Sequence, residues 1–164
     1  MRLARAGLTS GRQLVAYIFG SNRCASCRDP KLKELLGSLR ARLRIAAGSD
    51  YRSVSVVGVA ITTDLEEGLD YLSGIGLANL DEVAIGNGWQ NQQAIQMMWR
   101  AQITGADAPQ VLLIEREMKG TVDPISLAYG PDSLIMAVVG HQQLVDWIAG
   151  GAKLRSPEGD AVAR

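Results

Sequence analysis

Cysteine, histidine and aromatic residues are scarce in this chain, and net charge is absent. Of 164 residues only two are Cys, one is His and eight are aromatic. Two cysteines are too few for a disulfide-stapled secreted fold, which uses more of them and scatters them. A structural zinc site needs four ligands, and one Cys pair backed by His141 alone does not supply them. Apolar runs such as Leu134–Gly140 fall far short of the roughly 20 residues that a membrane-spanning helix needs. The start does not read as a secretory leader. Arg2, Arg5 and Arg12 are basic, but Leu14–Phe19 is short and no small-residue cleavage site follows before Asn22 and Arg23. The expectation is a soluble cytoplasmic protein with no membrane partner, and export stays open if the start is truncated.

What is present is globular in kind. A 47% hydrophobic and 21% charged composition excludes disorder and collagen-like structure, and the length suits one domain. Seventeen basic and seventeen acidic residues cancel but are segregated. Residues 1–52 carry eleven Lys/Arg against three Asp/Glu, and residues 53–164 carry six against fourteen. Such asymmetry can mark nucleic-acid binding, but with zero net charge and few aromatics no nucleic-acid partner is expected. The cluster Arg40, Arg42 and Arg44 reads instead as a solvated helix face near a C-terminus, where cations suit the dipole.

Apolar strands alternate with helical patterns along the chain. Gln13–Phe19 is a short run of strand formers between Gly11 and Gly20. Leu32, Leu35, Leu36, Leu39 and Leu43 then recur at helical spacing up to about Gly48. Val54–Ile61 is a second continuous apolar strand. Asp64 leads into a helix with Leu65, Leu69 and Leu72, with Glu66 and Glu67 in its first turn and Gly74 and Gly76 stopping it. Asp81–Ile85 suits a short third strand, Gly86–Gly88 a turn, and Gln90–Ile103 a helix with Ile95, Met98, Trp99 and Ile103 on one side. Trp89, Trp99 and Trp147, with Met97 and Met98, are expected in the core. After a break ending at Pro109, Gln110–Glu115 reads as a strand and Met118–Pro124 as a turn. Apolar material follows in Ile125–Tyr129 and Leu134–Val139, and Gln142–Ile148 is a last helix, with a frayed tail from Gly150. This order implies a largely parallel sheet covered on both faces.

The chemistry concentrates at Cys24-Ala25-Ser26-Cys27. Two thiols three positions apart can close one short loop. If a helix starts there, its positive end favours the thiolate of Cys24, and Arg23 and Arg28 push the same way. The thiolate attacks in disulfide exchange, and a second thiol at this spacing can resolve the mixed disulfide. Asp29-Pro30 offers a rival start, because Asp is a good N-cap and Pro suits the first helical position.

The run Val15-Ala16-Tyr17-Ile18-Phe19-Gly20-Ser21-Asn22-Arg23-Cys24-Ala25-Ser26-Cys27-Arg28 resembles the strand, loop and helix start of the thioredoxin-like superfamily. Ala108-Pro109-Gln110-Val111-Leu112-Leu113-Ile114 is similar to that superfamily's cis-proline segment. The βα material between them is nearer the TlpA-type and peroxiredoxin-like branch. The resemblance implies a three-layer α/β/α sandwich over a central mixed sheet, with an extra βα unit between the CxxC helix and the cis-Pro strand. It implies an N-terminal extension over 1–11, a domain over 12–149 and a flexible tail over 150–164. It makes Cys24 the attacking thiol and Cys27 the resolving one, with Ala108 and a cis Pro109 shaping the substrate groove. The helix is expected to start at Cys24, because helices of this superfamily carry a kinking proline, though somewhat later.

The departures are specific. Arg23 stands where thioredoxins have Trp, and Ala25-Ser26 where they have Gly-Pro. Ile18 falls at the position of their buried strand carboxylate. Neither Pro nor Thr precedes Cys24 at the peroxiredoxin spacing, so a peroxidatic site is disfavoured. Thiol–disulfide exchange with a protein or small-molecule disulfide is the expected activity. A redox-inactive binding module and a peroxiredoxin-like reductase are the alternatives. No organic cofactor or metal is implied. His141 reads as a surface or capping residue, and Asp64, Glu66 and Glu67 as helix-start charges. The physiological substrate, the redox direction and the oligomeric state are not legible in the sequence.

Overall fold

The computed structural model describes residues 11–85, 108–119 and 128–154. The expected turn Gly86–Gly88 and helix Gln90–Ile103, with Trp89, Met97, Met98 and Trp99, lie outside the described residues. So do residues 1–10, 120–127 and 155–164.

Strand β1 (Gly11–Gly20) runs into the dithiol turn, and α1 (Pro30–Ala47) follows. Then come β2 (Ser53–Ala60), α2 (Leu65–Ile75), the short β3 (Glu82–Ala84), β4 (Gln110–Lys119), β5 (Ala128–Val139) and α3 (His141–Ala149). The five strands form one sheet in the order β3-β2-β1-β4-β5. β1, β2 and β3 are parallel, whereas β4 is antiparallel to both β1 and β5. The sheet is therefore mixed rather than largely parallel. Alternation of strands and helices carried the parallel expectation, and it holds only while each helix returns the chain to the same edge. A direct β4–β5 pairing needs no such crossover.

α1 and α2 pack into one core on the same face of the sheet, as the usual right-handed crossovers from β1 to β2 and from β2 to β3 require. Leu14, Ala16 and Ile18 of β1 meet Leu32, Leu36, Leu39 and Leu43 of α1 there, with Tyr71, Leu72 and Ile75 of α2 and Leu144, Val145 and Ile148 of α3. These four α1 leucines are 1% exposed or less, with the fifth, Leu35, partly buried against them, and each full burial stabilises by about 1.5–3 kcal/mol. Val15, Phe19, Val57, Val59, Leu112 and Ile114 form a second buried cluster on the opposite face.

Three expectations change. The leucine phase of α2 is wrong: Leu65 and Leu69 are 68% and 45% exposed, and the buried side is Gly68, Tyr71, Leu72 and Ile75. Gly68 is the reason, since a side-chain carbon there would meet Ile85, Ala60 and Thr62, so its absence lets α2 lie close on β2. The arginine cluster is not simply a solvated face. Arg40 pairs with Asp81 at 2.9 Å and donates to the Ala78 carbonyl, and Arg42 donates to the Ile148 carbonyl at 3.0 Å. Finally, Met118 belongs to β4 and is 1% exposed, so the strand takes the first two residues of the expected turn, whose remainder lies outside the described residues. Beyond α3 the chain stays on the domain as far as Leu154. Ala152 is fully buried, Leu154 packs on the core, and the Trp147 indole donates to the Lys153 carbonyl.

Candidate functional site

β1 ends at Gly20, which is buried against the Tyr71 side chain. A side-chain carbon on Gly20 would collide with the Tyr71 hydroxyl, so this strand end tolerates only glycine without rearrangement. That hydroxyl is buried with no hydrogen-bond partner among the described residues, and burial pushes its pKa upward. From here the chain turns tightly. Cys24 N–H donates to the Ser21 carbonyl at 3.2 Å and Arg23 N–H to the Ser21 hydroxyl at 3.0 Å. A 3-10 turn over Ser26–Arg28 follows, with Cys27 N–H on the Cys24 carbonyl at 3.1 Å.

The regular helix starts only after this turn. Asp29 is the N-cap of α1, its carboxylate accepts the Lys31 N–H at 3.1 Å, and Pro30 occupies the first helical position. The expected start at Cys24 is thus overturned. A proline inside the helix would delete a hydrogen bond and clash with the preceding turn, and an Asp-Pro start avoids both. Cys24 consequently lacks the end-on α1 dipole. It keeps one backbone donor, since Cys27 N–H points at Cys24 Sγ at 3.2 Å.

Cys24 and Cys27 are joined in a disulfide, with their Cα atoms 5.2 Å apart. The two sulfurs are unequally placed: Cys27 is fully buried in the core, and Cys24 is half-buried at its edge. Cys24 Sγ lies 3.4 Å from the carbonyl oxygen of Ala108. The Ala108–Pro109 bond is cis. Pro109 is buried, and its carbonyl accepts the Gly140 N–H at 2.9 Å. β4 then begins at Gln110, opposite Phe19 of β1. Cys24, Cys27, Ala108 and Pro109, chosen from two distant stretches of sequence, therefore meet at one rim of the sheet.

The flanking arginines sit differently from that group. Arg23 is 78% exposed and its guanidinium donates to Glu67 at 3.1 Å, so its charge is countered by the first turn of α2. Glu67 also accepts from Thr62, and Asn22 donates to Asp70 at 2.6 Å. Asp64 caps α2 through the Glu67 N–H at 2.9 Å. An open cleft of about 350 Å³ beside the loop is lined by Asn22, Asp64, Glu66, Glu67 and Asp70. Arg28 is exposed. Among the described residues no group of three His, Cys, Asp or Glu side chains could hold a metal ion.

Sequence reasoning missed one member of this rim. His141, the first residue of α3, places Nε2 2.6 Å from Asp29 Oδ2. The hydrogen bond to His141 holds the Asp29 carboxyl below its usual range, with the Lys31 backbone bond acting in the same sense. Asp29 was legible as a cap, but nothing in the sequence pairs it with a residue 112 positions away. No family model, no curated protein and no solved structure matches this chain.

Proposed function

We propose that this chain is a thiol–disulfide oxidoreductase of thioredoxin-like fold, acting on a protein or small-molecule disulfide. On this reading the sheet is the centre of a three-layer α/β/α sandwich, and β3 belongs to an extra βα unit inserted before the Pro109 strand. The observation that carries the reading is the closed Cys24–Cys27 pair with its more exposed sulfur against the carbonyl that precedes cis Pro109.

The reaction needs two exchanges. The Cys24 thiolate attacks a substrate disulfide, forming one S–S bond and releasing one substrate thiolate, which takes up a proton. The Cys27 thiol loses its proton, and the thiolate attacks Cys24 Sγ, closing the internal disulfide and releasing the second substrate thiol. Two electrons and two protons pass from dithiol to substrate, and the reverse sequence oxidises a substrate dithiol. Cys24 suits the first step by its exposure, and the Cys27 N–H at 3.2 Å is a donor for its thiolate. Cys27 suits the second step because it is shielded from outside disulfides.

Alkylation of reduced and oxidised samples followed by intact mass tests the pair. The expected result is full, reversible closure, with Cys24 alkylated faster than a model thiol at neutral pH. Cys27→Ser should accumulate a mixed disulfide with oxidised glutathione, and Cys24→Ser should not. A pair that never closes would end the oxidoreductase reading and leave a thioredoxin-fold binding module.

A further inference from the structure

Two dithiol residues, the Pro109 corner and the start of α3 form a closed ring of contacts. Cys24 Sγ rests 3.4 Å from the Ala108 carbonyl, and the next carbonyl, that of Pro109, accepts the Gly140 N–H at 2.9 Å. The residue after Gly140 is His141, which meets Asp29 at 2.6 Å. Asp29 lies two positions beyond Cys27, and the Cys24–Cys27 disulfide completes the ring. We propose that Asp29 and His141 are a positioning pair that favours the closed disulfide over the dithiol, by tying the turn that carries Cys27 to the corner on which Cys24 rests. The proposal rests on the oxidoreductase reading above and adds to it two residues outside the CxxC motif.

The physical basis is effective concentration. Closing the disulfide requires Cys24 and Cys27 to hold their Cα atoms at 5.2 Å in this turn. A turn fixed at both ends samples fewer open arrangements, so less conformational entropy is lost on closure. Asp29 is well suited to fix it. One oxygen is engaged with the Lys31 N–H, so the carboxylate cannot swing from His141 without uncapping α1. Both side chains are about one-third exposed, at 30% and 34%, which bounds the effect to a modest one.

The test is the equilibrium of the full chain with defined ratios of reduced and oxidised glutathione, quenched by alkylation and read by intact mass. Asp29→Asn retains the cap, because Asn serves there as well as Asp, and removes the charge. His141→Gln retains a hydrogen-bonding side chain of similar reach. Each variant is expected to lower the equilibrium constant for disulfide closure about three- to five-fold, the range of one partly exposed side-chain hydrogen bond. The double variant should lose no more than either single one, because they remove the same contact. Melting temperatures of the two redox forms supply the second readout, and each variant should lower the oxidised form's more. Equal lowering of both forms with an unchanged closure constant would overturn the pair as a positioning device and leave it a helix brace. In that case a wild-type chain that equilibrates normally keeps the oxidoreductase reading intact. A wild-type chain that never equilibrates with glutathione overturns both.

Discussion

The turn carrying Cys24 and Cys27 is held in opposite ways on its two sides. On the β1 side the fixing is by shape: Gly20 sits against buried Tyr71, and the charged contacts Arg23–Glu67 and Asn22–Asp70 lie out in solvent. On the α1 side the fixing is by polar chemistry, with Asp29 serving one backbone N–H and one imidazole at once. Charge therefore does little where the chain is buried and more where one short side chain caps α1 and also meets a side chain of α3. The lesson is that the visible arginine beside Cys24 is a poorer guide to how the turn is held than the plain Asp-Pro that follows it.

Substitutions can break this contrast from either side, and the largest effect is expected at Gly20. Gly20→Ala puts a carbon into the Tyr71 hydroxyl, and overpacking of this kind costs about 1–3 kcal/mol. Chemical denaturation should show a smaller loss when Gly20→Ala is made in a Tyr71→Phe background, because the nearest clashing atom is gone. Equal losses in both backgrounds would show that the hydroxyl is not what limits this position. On the other side, Asp29→Ala removes the cap and should cost about 1 kcal/mol, whereas Asp29→Asn should cost less. Urea midpoints of the two variants decide this, and identical midpoints would remove the cap from the account.

Acid sharpens the same comparison. The Asp29 carboxyl is held below its usual range by His141, so its ionised form favours the folded state. That contribution is complete above the unfolded value of about 3.9 and is lost as pH falls through the lower folded value. Thermal melts of the wild-type chain and Asp29→Asn should therefore stay apart from pH 7 to about 5 and converge below about pH 4. A gap that persists unchanged at pH 3 would mean that charge is not the source. The smallest effect belongs to Arg23→Ala, within about 0.5 kcal/mol in denaturation, since its ion pair with Glu67 is highly exposed.

Much of the scaffold was legible because it depends on local pattern. β1 and β2 announce themselves as continuous apolar runs, and the α1 leucines mark the face they bury. The two cysteines and the Ala108-Pro109 segment could be named because each is a compact motif. α2 defied its pattern. Its leucines at 65 and 69 point outward because Gly68 and Tyr71 make the closer fit to β2, and periodicity assigns no weight to a glycine. The α1 start was legible too, in Asp29-Pro30, but a likeness to helices that tolerate a proline outweighed it. The Asp29–His141 contact was out of reach. It exists only because β4 and β5 return the chain so that α3 begins beside α1, and single-sequence reading has no handle on that juxtaposition.

The Arg42 contact has one further consequence. α1 and α3 run side by side in the same direction, bridged near their beginnings by Asp29 and His141 and near their ends by Arg42 on the Ile148 carbonyl. Two rods bolted at top and bottom neither slide lengthwise nor scissor without breaking a bolt. They form a stiff plate on the face of the sheet in which Cys27 is buried.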